Sequence, residues 1–181
     1  MERAPTGTDT SEITETETDT MDNSAFVYTS YIRTTPDELW KALTEPALTR
    51  RYWGVAFETD WIPGSPMVWE EGGRTTADPL QVVLVAEPGR RLSYAWHTFT
   101  PEWAQAVRIG EDIYARLVEE GRSKVTYDIE PAGDMVKLTV VHGDLKPDGT
   151  IRALVSEGWP AIVSSLKSLL ETGEELPDVP R

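Results

Sequence analysis

The chain has 181 residues, enough for one domain with a full core, and 31 Asp plus Glu against 17 Lys plus Arg leave a net charge of −14. That balance argues against nucleic acid as a partner, because phosphate binding needs a positive face. With no cysteine, the chain has no disulfide, thiolate metal site or Cys nucleophile.

Residues 1–24 are rich in Thr and acids, with Arg3 as the single base and almost nothing apolar to bury. A segment of that kind cannot offset its ordering entropy, so a disordered acidic tail is expected there. It also lacks the basic and apolar regions of a secretory signal. No apolar run approaches the ~20 residues that span a bilayer, so the expectation is a cytoplasmic protein with no membrane span.

Residues 26–33 alternate as a first strand does. A helix start follows: Thr35 suits the N-cap, Pro36 the first helical position, and Glu38 stands at capping-box spacing. Leu39, Trp40 and Leu43 give that helix one apolar face, Pro46 ends it, and residues 47–53 predict a second short helix. From Val55 the pattern changes to period two. Strands are expected at 55–61 and 67–71 around the turn Pro63-Gly64-Ser65-Pro66, with Gly72-Gly73 as an end. Further strands are expected at 80–86, before Pro88-Gly89, and at 92–97. Residues 98–120 show no clean period and read as a loop or a short helix. Strands resume at 124–130 and 135–142. Trp159, Ile162, Val163, Leu166, Leu169 and Leu170 then recur at helical spacing over 156–173, with a start as early as Thr150, and Gly173 is the stop. Pro160 predicts a kink in that helix. The order, strand, two short helices, about six strands and a long helix, defines an α+β fold. The ordered domain is expected over 25–176, with 177–181 a disordered end.

Ile32-Arg33-Thr34-Thr35-Pro36-Asp37-Glu38-Leu39-Trp40-Lys41-Ala42-Leu43-Thr44 resembles the opening of the START-like superfamily, also called SRPBCC. More narrowly, it resembles the branch named after the activator of the ninety-kilodalton heat-shock chaperone's ATPase. Tyr52-Trp53, Pro63-Gly64, the run from Pro88 to Trp96, Thr139-Val140-Val141-His142 and Gly158-Trp159-Pro160 through Leu170 match in the same order. The resemblance spans residues 25–173. It implies a helix-grip fold, also called Bet v 1-like: an antiparallel curved sheet wrapped around the C-terminal helix, often with a cavity between them. The superfamily includes lipid carriers, hormone receptors, aromatase/cyclases and chaperone activators, so fold leaves function open.

Seven Trp, six Tyr and three Phe are enough to line an apolar pocket or to pack a core. The ligand-site candidates are Trp53, Trp69, Tyr94, Trp96, Trp103, Tyr114, Trp159, Val163 and Leu166, with His142 and Arg90 as polar anchors. Trp40 and Trp159, each on an apolar helix face, read as core. His142 is in phase with Val136, Leu138 and Val140, and is either a structural histidine or a general base, with Asp144 a candidate to orient it. His97 falls opposite Tyr94 and Trp96 and is expected to be exposed. One of Glu70 and Glu71 should point inward. No nucleophile elbow, phosphate loop or dinucleotide fingerprint occurs, and two histidines make a weak metal set.

These readings favour a non-enzymatic binder of a small hydrophobic or amphipathic ligand, with no cofactor. The alternative is a stress-response interaction protein or chaperone partner. A cyclase or hydrolase using the same cavity comes third. An exposed edge strand would permit a homodimer.

Overall fold

The computed structural model describes residues 24–177, so the expected acidic tail and the last four residues lie outside the described part of the chain. Strand β1 (Phe26–Ile32) leads into helices α1 (Pro36–Thr44) and α2 (Pro46–Tyr52). Strands β2 (Val55–Glu58), β3 (Val68–Glu71), β4 (Arg74–Thr76), β5 (Val83–Glu87) and β6 (Arg91–Ala95) follow. Two helices, α3 (Pro101–Ala106) and α4 (Glu111–Glu120), precede the long hairpin β7 (Lys124–Ala132) and β8 (Met135–Gly143), and α5 (Thr150–Thr172) ends the fold.

The strands form an antiparallel five-stranded sheet in the order β1-β8-β7-β6-β5 and a three-stranded sheet β2-β3-β4. A bridge between Pro66 and Val82 joins them, helped by the amides of Met67 and Val83, which donate to Gln81 O and Ser65 O. The surface bends around α5.

Local chemistry explains most boundaries. Thr35 Oγ1 accepts from the Glu38 amide at 3.2 Å, and Pro36 opens α1. The reciprocal half of the capping box is not formed, because the Glu38 carboxylate turns to Lys41. Helix α5 runs through Pro160 and stops at Gly173, whose φ of 83° is the left-handed conformation glycine tolerates. Its N-terminus has no side-chain cap of its own. Glu120, at the end of α4, supplies it from a distance, accepting from the Thr150 and Ile151 amides at 2.5 and 2.9 Å.

Gly72 and Gly73, at φ 58° and 74°, end β3 as expected and turn the chain back into the short β4, which carried no signal in the sequence. One expectation is corrected here. Residues 98–120 hold two helices, α3 capped by Thr100 and started by Pro101, and α4 begun at Gly110. Each is too short to show a period clearly.

Helix α5 buries Ile151, Val155, Trp159, Ile162, Val163, Leu166 and Leu169 against the sheet. Each such side chain contributes roughly 1.5–3 kcal/mol. Polar ties bind the helix to both ends of β1: Lys167 donates to Tyr31 O, Arg152 to Ala25 O, and the Arg33 amide to Glu171. Among the described residues no helix is long and apolar enough to cross a membrane.

Candidate functional site

Strand alternation aims Tyr94 of β6, Tyr127 of β7 and His142 of β8 at the helix, while Arg91, Asp128 and Lys137 face away. The inward side chains meet rings from α2, the β2–β3 hairpin and α5. Trp53 lies 5.7 Å from Trp69, 6.0 Å from Trp96 and 5.4 Å from Trp159, centroid to centroid. Phe57 stands 4.8 Å from Trp69 and 5.4 Å from Tyr94. Trp96 packs 4.6 Å from His142, and Tyr127 meets Trp159 edge-on at 5.8 Å. One continuous aromatic layer fills the space beside α5, with tilted contacts and, at Trp53–Trp69, Phe57–Trp69 and Tyr127–Trp159, the edge-to-face geometry that ring quadrupoles favour.

The layer reaches the surface at Trp61, Trp96 and Phe99, which are half-buried. Trp61 has a φ of 58°, an outlying conformation for so bulky a residue. Its indole N–H donates to Thr44 O at 3.2 Å, and its ring leans on Phe57 and Tyr94.

Of the residues expected to line a site, Trp53, Trp69, Tyr94, Trp96 and Trp159 meet in this layer. Val163 and Leu166 lie under it on the buried face of α5. Trp103 joins at the α3 end, 4.8 Å from His97, with its N–H donating to Glu71 at 2.7 Å. Tyr114, half-buried on α4, packs at the edge of the core outside the layer. Arg90 is exposed at a groove of about 820 Å³ on the opposite face of the sheet, so it does not anchor anything beside α5. The same groove holds the ion pairs Arg91–Asp128 and Lys137–Glu130, at 2.5 and 2.8 Å.

His142 is fully buried, and both ring nitrogens are engaged. Trp159 Nε1 donates to His142 Nδ1 at 3.1 Å, and Ser123 Oγ lies 2.8 Å from His142 Nε2. An indole N–H can only donate, so Nδ1 is the acceptor and the proton of the neutral ring sits on Nε2. The Ser123–His142 pair has the spacing of a nucleophile and its base, but the tautomer is the wrong one to take a serine proton. Burial and then repulsion from His97 lower the His142 pKa to about 3, which keeps the ring neutral. Asp144 does not orient it; Asp144 is exposed and pairs with Lys124 at 3.1 Å.

His97 also departs from expectation: it is 4 % exposed. Strand β6 ends at Ala95, so alternation no longer governs His97, and the chain turns its ring under Trp69 and Trp103. Its Nδ1 donates to Thr98 O at 2.9 Å, and burial lowers its pKa to about 4. Glu70 pairs with Arg50 at 2.7 Å.

Two polar ties, one buried at Gln81 and one half-buried at Arg122, carried no sequence signal. Gln81 donates to Met67 O and Thr76 O and accepts from the Thr98 amide, which pins three segments around the layer. Arg122 bonds Asp78, Thr98 Oγ1 and Trp96 O. Tyr94 and Tyr127 bond each other through their hydroxyls at 3.0 Å. Among the described residues no group of acids and histidines has metal-holding geometry.

An antiparallel curved sheet gripping a long C-terminal helix, with an aromatic layer between them, defines a START-like, or SRPBCC, protein. The family model for the activator of Hsp90 ATPase homolog 1-like protein matches residues 33–171, and the chain belongs to that family. No curated protein matches it. Among solved structures, a protein from Mesorhizobium loti, MLL2253, superposes with a TM-score of 0.62 at 24% identity, covering 81% of this chain and 96% of that one. The Aha1 dimer from Colwellia psychrerythraea gives 0.60 at 16% identity, covering 82% and 97%. DynU16, a protein of the dynemicin biosynthetic locus, gives 0.62 at 20% identity, covering 84% of this chain and 49% of that one. At such identities the likeness establishes the fold.

Proposed function

We propose that this protein is a non-enzymatic binder of a small, planar, apolar molecule, held among the rings between the sheet and α5. The observation that carries this reading is the aromatic layer itself, continuous from Trp159 on the helix to Trp61 at the surface. Rings stack on a planar guest as readily as on one another. The layer is closed, so entry proceeds by displacing a ring. Trp61 is the one to move, because its backbone conformation is costly and leaving it is correspondingly cheap. The family includes ligand carriers, and the likeness to a protein of a biosynthetic locus agrees with a guest of this kind. The His142 tautomer supports binding over hydrolysis, since the Ser123–His142 pair is locked in the inactive arrangement.

Titration of the protein with fluorene, followed by tryptophan fluorescence and native mass spectrometry, tests the reading. A saturable change with a 1:1 complex is expected, and Trp61→Ala should speed association. No complex up to the solubility limit of the probe overturns it.

A further inference from the structure

We propose that the aromatic layer selects a guest carrying an acceptor oxygen, a ketone or quinone carbonyl, and receives that oxygen with the phenols of Tyr52, Tyr94 and Tyr127. This rests on the ligand-binding reading above and adds the chemistry the site prefers.

The case is one of counting protons. Tyr94 and Tyr127 share a single hydrogen bond, yet the pair carries two hydroxyl protons. One proton of the pair therefore has no acceptor among the described residues. Tyr52 packs into the same interior, 2 % exposed, and its phenol lies close enough to interact with both. Desolvation raises the pKa values of all three phenols, for Tyr94 against the hydrogen bond with Tyr127, which lowers it, so each stays protonated and able to donate. Trp69 adds a buried indole N–H with no hydrogen-bond partner among the described residues. Buried polar groups are normally satisfied, and the spare proton of the tyrosine pair and the Trp69 N–H call for an acceptor that the described residues do not supply.

The acceptors nearby do not meet that demand. His142 Nδ1 is taken by Trp159. His97 packs 4.8 Å from Trp69 but accepts no hydrogen bond from its indole N–H, and its other ring contacts are with Trp96, Phe99 and Trp103, not with the tyrosines. Arg90 faces the outer groove, and both histidines are held neutral by burial, so no cation stands ready for a carboxylate guest. A carbonyl brings two lone pairs, no proton and no charge, which is what these donors lack.

The test compares 9-fluorenone with fluorene, which have the same ring frame with and without the oxygen. The wild-type protein should bind fluorenone about three- to tenfold more tightly, the size of one or two net hydrogen bonds. Tyr94→Phe/Tyr127→Phe should bring the two affinities together, a ratio in which any change of ring packing common to both probes cancels. Infrared spectra of fluorenone on the unaltered protein give a readout that does not depend on the variant folding: its carbonyl stretch should fall below the value in hydrocarbon solvent. Equal affinities, or an unshifted stretch, overturn this inference and leave the ligand reading standing. If neither probe binds, both fall together.

Discussion

Trp159 on α5 donates its indole proton to His142 Nδ1 on β8, 3.1 Å away, and so decides which nitrogen of that histidine carries hydrogen. The bond joins the helix to the sheet at the centre of the aromatic layer. It also turns an apparent Ser–His pair into a structural tie.

Trp159→Phe should keep most of the ring packing but leave Nδ1 without its donor. Unfolding free energy should fall by about 2 kcal/mol, in the range for a buried hydrogen-bonding group that loses its partner. Nitrogen-15 chemical shifts of the two ring nitrogens report the tautomer. In the wild type the proton should sit on Nε2, and in the variant the two forms should mix; an Nδ1-protonated ring in the wild type would contradict the assignment.

Stability should fall in mild acid. Both histidines have folded pKa values below the ordinary 6.5, about 3 for His142 and about 4 for His97. The unfolded chain therefore binds more protons than the folded one between those limits. The stabilisation is complete above pH 6.5 and is lost as pH falls toward the folded values. At pH 5 each histidine should cost about 2 kcal/mol relative to pH 7. Urea titrations across this range measure it, and His142→Gln should reduce the slope by about half.

Gly149 is held to glycine by a neighbour. A Cβ there would stand 2.6 Å from Glu120 Oε2, the group that caps α5. Gly149→Ala should cost about 1–2 kcal/mol, as losing a cap does. Combined with Glu120→Ala, it should cost clearly less than the sum of the two single changes, because one contact is being removed twice. Additive losses in thermal unfolding would place the effect elsewhere.

Gln81→Leu should be among the most damaging single changes. The side chain is fully buried, and its removal orphans Met67 O, Thr76 O and the Thr98 amide together. A loss of about 3 kcal/mol is expected from denaturant unfolding, with looser packing of Trp69 visible in the near-ultraviolet circular dichroism. A loss under about 1 kcal/mol would show that water takes over those partners.

The element order and the start of α1 were legible because their signals are local. A Thr-Pro cap, a period-two run and a stripe at helical spacing each lie within a dozen residues. The same locality explains the misses. The strand after Gly72-Gly73 was missed because the three residues of β4 are too few to alternate. His97 was assigned by counting along a strand that had already stopped. Arg90 stood next to a strand whose outer face could not be told from its inner face at the turn.

The sequence by itself determined a long helix with one apolar face and a run of strands for it to cover, because side-chain periodicity is a property of neighbours along the chain; the clasp was implied by the family resemblance. Which aromatic rings touch, which nitrogen of His142 holds the proton and where Glu120 finds its partners were decided only by the tertiary structure. Those are contacts between segments far apart in the chain, and a hydrogen bond depends on distances that residue order does not carry.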